Sequence, residues 1–176
     1  RGLGDVYKRQ AIILVIIRQR WRVKMKKSLI IPSAAILIIL ACLFYLTFQK
    51  PEDTVELSNR VAHLPVVSAF LERMGVYVSW SVRQWAHVFE FFIVGTGFSV
   101  LYIFITKHTW SMMAAALSTC MVVSLVDQSI RIFIVGRHFD AFDLVLDAIG
   151  YVVAVLIFGA CRKLVSWRNR EKHGNK

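Results

Sequence analysis

The sequence predicts an all-α fold: an integral membrane four-helix bundle with an extracytoplasmic amphipathic helix between spans one and two. Three observations carry this. Hydrophobic residues make up 57% of the 176 residues, and they gather in runs near the length that crosses a bilayer. The charge is lopsided: of 22 Lys and Arg, nine precede Ser28 and six follow Cys161, with only Asp5 and Glu171 acidic in those two tails. Both basic tails are expected on the cytoplasmic side, which requires an even number of spans. A net charge of +11 on a soluble chain would point to nucleic acid. Flanking apolar spans it points to anionic headgroups instead, and no nucleic-acid partner is expected.

Residues 1–24 are set outside the fold as a non-native or upstream segment, because RGLGDVYKRQ differs in character from the rest of the chain and Ala11 to Ile17 is too short to span. Met25-Lys26-Lys27 reads as a natural start. The membrane domain is expected over 25–161. Its first span, 28–48, comes after Lys24, Lys26 and Lys27, and Pro32 sits in its first turn, where a missing N–H does little harm. KPED then signals a turn, and Val61, Leu64, Val67, Phe70 and Leu71 recur at helical spacing up to Gly75. The second span is 85–105. Lys107 and His108 connect it to a third, 111–127, rich in small residues that favour close packing. A short loop turning at Gly136 leads to the fourth, 143–161, and 162–176 is expected as a basic cytoplasmic tail. Cys42, Cys120 and Cys161 fall within or at the ends of apolar runs without CxxC spacing, which indicates neither a disulfide framework nor a zinc site.

Within this topology the ionisable residues converge. Arg83, His87 and Glu90, spaced four and three apart, share one helix face at the outer end of span two. Asp127, Gln128 and Arg131 lie at the outer end of span three. Arg137, Asp140, Asp143 and Asp147 lie in the outer loop and the first turns of span four. Ionisable groups at such depth are costly and mark a site by default. The guanidiniums suit a phosphate, pyrophosphate or carboxylate, and His87 beside Glu90 suits a general base or a proton relay. A metal is disfavoured, since Arg83 lies one turn from His87 and no second histidine joins the span. No cofactor is expected.

At these residues the chain resembles the VanZ-like family of small bacterial membrane proteins, named for a teicoplanin-resistance protein. Arg83, His87, Glu90 and Phe91 follow the family's Arg-x-x-x-His-x-x-Glu-Tyr pattern with Phe for Tyr. Asp127 matches the next motif, but Gln128 stands where glutamate is usual and Arg131 where glutamine is usual. Val135-Gly136-Arg137 is similar to the family's Pro-Gly-Arg, and Asp143, Asp147 and Gly150 fit the last motif. The resemblance implies a multi-pass protein of the bacterial cytoplasmic membrane acting at the cell envelope, with an effect on glycopeptide sensitivity in some members.

The expectation is an outward site that binds a lipid or wall-precursor headgroup through Arg83, His87, Glu90, Asp127, Gln128, Arg137, Asp143 and Asp147. His87, Glu90 and Asp127 are the candidates for any catalysis. The competing expectation is a non-catalytic scaffold whose polar cluster holds the helices together. A proton-coupled carrier ranks last, because after Glu90 the second span offers only Thr96, Ser99 and Tyr102.

Overall fold

A computed structural model describes residues 29–75, 78 and 80–174. The expected non-native segment, the start at Met25 and the lysines ahead of span one lie outside the described residues. Among the described residues six helices succeed one another: α1 (Leu29–Thr47), α2 (Pro51–Ala62), α3 (Pro65–Gly75), α4 (Val82–Ile105), α5 (Thr109–Arg131) and α6 (Ala141–Gly174). There is no strand among the described residues. Helices α1, α4, α5 and α6 are each long and apolar enough to cross a membrane. Their lipid-side residues, such as Ile31, Leu37, Ile93, Val122 and Leu156, are exposed, as expected where hydrocarbon and not water is the surrounding solvent.

Each spanning helix turns one narrow stripe inward. In α1 it is Pro32, Ile36, Leu43 and Thr47, and Ile36 and Ile39 close on Gly97 of α4. In α5 it is Met112, Ala116, Cys120, Ser124, Asp127 and Arg131, almost all four apart. The stripe is apolar for most of its length and becomes polar in the last two turns before the α5–α6 loop.

The tightest contact is between α4 and α6, which run parallel. A Cβ on Gly150 would collide with the carbonyl oxygen of Val88, and one on Gly95 would come within 2.9 Å of the Tyr151 Cα. The two backbones therefore touch, which only glycine allows. Phe91 packs edge-on against Tyr151 beside this crossing, with ring centroids 6.4 Å apart.

Two features depart from the sequence expectation. The amphipathic segment is two helices, because Pro65 disfavours helical geometry at Leu64 and breaks the chain at His63 and Leu64. Helix α3 folds back on the start of α4, where Phe70 meets Trp85 at 5.1 Å and Phe89 at 5.8 Å. The other is the length of α6, which runs on as helix through Gly174, since nothing between Cys161 and Gly174 breaks it. Its 34 residues reach about 50 Å, well beyond a hydrocarbon core of roughly 30 Å. At that end Arg162 caps α4, donating to the Thr106 carbonyl at 2.6 Å and hydroxyl at 3.1 Å.

Ser81 and Gln84 form a capping box that starts α4, with the Gln84 side chain accepting from the Ser81 N–H at 2.7 Å. Gly136, at φ 81°, turns the loop between α5 and α6, as its position in the sequence predicts. Replacing Gly150 by alanine should destabilise the bundle by about 1–3 kcal/mol, through overpacking at a backbone contact. Gly75→Ala, where an added Cβ meets nothing within 4 Å, should be silent. Thermal unfolding of both variants in detergent checks the pair.

Candidate functional site

The polar ends of the inward stripes meet where α4 begins, α5 ends and α6 begins. His87, in the second turn of α4 after its capped start, is buried. Its Nδ1 lies 2.9 Å from Oδ1 of Asp147, also buried, and Ser124 donates to the other Asp147 oxygen at 2.7 Å. A carboxylate can only accept here, so Nδ1 carries a proton and the ring orientation is fixed.

The other ring nitrogen has two neighbours of opposite character. Arg131 Nη1 and Asp143 Oδ2 both stand 3.3 Å from Nε2. Neutral His87 can accept from Arg131 at Nε2, whereas protonated His87 can donate to Asp143. The imidazole can thus gain or lose a proton with its partners already in place.

Arg131 is the hub. Its Nη2 lies 2.9 Å from Asp127 Oδ2, one turn back on α5, and its Nη1 3.3 Å from Asp143 Oδ2. Asp127 also accepts from Thr47 at the end of α1, which ties the first span to the cluster. A single oxygen of Asp143 therefore faces Arg131, His87 and, at 3.5 Å, the guanidinium of Arg83. Asp143 also lies in the first turn of α6, where the helix dipole favours a negative charge. The cation among these carboxylates is a guanidinium supplied by the chain itself.

Beside this network lies a cavity of about 500 Å³, lined by α1, α2, α4, the end of α5 and the α5–α6 loop. Arg83, His87, Glu90, Arg131, Arg137 and His138 reach its wall. Arg83 is 58% exposed, so its bond to Asp143 leaves most of its donors free. Arg137 makes its side-chain hydrogen bond to a neutral partner, donating to Thr54 Oγ1 of α2 at 2.6 Å. Burial, and then the neighbouring guanidiniums of Arg131 and Arg83, hold its pKa below the usual arginine value. A negative charge placed there would offset the repulsion from the neighbouring guanidiniums.

The residues expected from sequence divide into two groups. Arg83, His87, Glu90 and Arg137 reach the cavity, while Asp127, Asp143 and Asp147 stand behind it, neutralising Arg131 and orienting His87. Gln128 joins neither group. It is fully buried, neither of its amide atoms has a partner among the described residues, and it is absent from the cavity wall. Asp140 starts α6 instead, accepting from the Phe142 N–H at 2.9 Å. Sequence reasoning left Arg131 outside the ligand set, although its four-residue spacing from Asp127 signalled the pair. Thr47, Thr54, Ser124 and His138 were not anticipated; each is a common polar residue with no pattern to distinguish it.

Removing the hub should be costly. Arg131→Gln leaves Asp127 and Asp143 without their shared cation, and breaking a buried pair in this way costs roughly 3–5 kcal/mol. Adding Asp127→Asn to it should recover part of the loss. A double-mutant cycle on detergent melting temperatures reads both effects.

A family model described as VanZ/LLP1 matches residues 34–162, which include every residue of the network and every residue of the cavity wall. No curated protein and no solved structure matches the chain. With the match covering most of its length and four spanning helices inside or overlapping it, the chain belongs to the VanZ/LLP1 family and is a multi-pass membrane protein.

Proposed function

We propose that this VanZ-like protein binds the anionic headgroup of a cell-envelope lipid or wall precursor in the cavity beside His87, and thereby lowers sensitivity to glycopeptide antibiotics such as teicoplanin. The observation that carries the reading is that Arg83 and Arg137 both line the cavity. The first is largely exposed, and the second is held by a neutral hydroxyl. Guanidiniums in that state are the preferred donors to phosphate and carboxylate oxygens. His87 and Asp147 would hold a proton at the cavity floor while Asp143 and Asp127 keep Arg131 in place.

The cavity is proposed to open away from the cytoplasm. In support, Lys107, Arg162, Lys163, Arg168 and Arg170 all belong to the opposite end of the bundle, and such residues concentrate on the cytoplasmic side. Wall precursors displayed outside the membrane would then meet the cavity, and the membrane would be the bacterial cytoplasmic membrane.

One observation favours a second reading, a purely structural cluster. Asp127, Arg131, Asp147, Ser124 and Thr47 are buried and tie α1, α5 and α6 together through mutual contacts. The two readings part at residues outside that buried set. Arg83→Ala and Arg137→Gln should lose at least half of any teicoplanin protection in a sensitive host, with membrane abundance and melting temperature unchanged. If both variants protect like the parent protein while His87→Ala or Arg131→Gln only lowers abundance, the cluster is structural.

A further inference from the structure

The cavity's charges fall into a closed set and a remainder. Arg131 is answered by Asp127 and Asp143, Asp143 also faces Arg83, and His87 sits between Asp143 and Asp147. With His87 protonated, Arg83, His87 and Arg131 balance Asp127, Asp143 and Asp147. Two charged groups on the cavity wall stand outside this set. Among the described residues, Arg137 bonds only a hydroxyl through its side chain, and Glu90 has no side-chain hydrogen bond or ion pair. They have opposite signs and come from different elements, Glu90 from α4 and Arg137 from the α5–α6 loop. A carboxylate left without a donor at a half-buried position in a membrane helix is costly, and such a group marks what the site receives.

Resting on the reading of the cavity as a headgroup site, we infer that its ligand is a zwitterion: a phosphate ester carrying a primary ammonium, of the phosphoethanolamine type, with the phosphate at Arg137 and Arg83 and the ammonium at Glu90. A simple anion would satisfy the guanidiniums but leave Glu90 without a partner. A zwitterion satisfies both ends, and a primary ammonium supplies N–H donors that a quaternary one lacks. Leu46 of α1, Val55, Leu57 and Val61 of α2, and Val82 and Ala86 of α4 add an apolar wall to the same cavity, which suits a headgroup that arrives with its lipid.

Native mass spectrometry of the full chain in detergent tests this with phosphatidylethanolamine, phosphatidylglycerol and phosphatidylcholine at equal concentration. The parent protein should retain phosphatidylethanolamine about ten-fold over the other two, the scale of one charge-assisted hydrogen bond. Glu90→Gln, with an unchanged melting temperature as the folding control, should bring that ratio near one while phosphatidylglycerol retention holds. Equal retention of all three by the parent protein, or a preference that survives Glu90→Gln, overturns the zwitterion. The reading beneath it fails separately: if Arg83→Ala and Arg137→Gln retain every lipid as the parent does, no anion is held there at all. Soluble phosphoethanolamine distinguishes the source. It should displace the lipid only at about ten-fold or greater excess if the apolar wall contributes; displacement at parity makes the free phosphate ester the ligand.

Discussion

The contact between Gly150 and the Val88 carbonyl sets the geometry of the polar cluster around His87. It brings α4 and α6 to backbone distance within one turn of His87 and Asp147, and those side chains are short. At an ordinary helix separation of 8–10 Å, carried by larger residues, a histidine and an aspartate on facing helices would have to compete with that bulk to meet. Here they lie 2.9 Å apart, and Asp143, one turn earlier on α6, is delivered to the other ring nitrogen by the same register. A missing side chain on α6 thus positions three others.

The electrostatic arrangement is a result of that delivery. Two aspartates brought to one histidine, with a third on the neighbouring helix, make an excess of negative charge in a low-dielectric setting where charges must be paired. Arg131 reaches Asp127 along its own helix and Asp143 across the bundle, and Arg83 reaches Asp143 from the rim. The polar cluster is costly to build and rigid once built. His87 and Arg131, the two members of the network on the cavity wall that are buried, are the ones whose partners fix them.

Much of this was legible in the sequence. The four spans emerge from length and apolarity, and the shared face of Arg83, His87 and Glu90 from spacing of four and three on a helix. Depth along the axis could be read for Asp143 and Asp147 in the same way. What could not be read was rotation. Helix α1 is apolar on nearly every side, so nothing in its composition says that Thr47 rather than Tyr45 faces Asp127. The position of Gln128 fails for a similar reason: one residue along a helix is a turn of about 100°, enough to carry a neighbour of Asp127 out of the network altogether. The break before Pro65 was visible in principle, but a continuous hydrophobic spacing from Val61 to Leu71 masked it.

The hydrogen bond from Arg137 to Thr54 joins the α5–α6 loop to α2, both of which line the cavity. A guanidinium has five N–H donors and this bond occupies one of them, so the loop stays tied to α2 while the other donors remain unspent. One side chain thus joins two segments that are distant in the sequence, Thr54 and Arg137, along a single cavity edge.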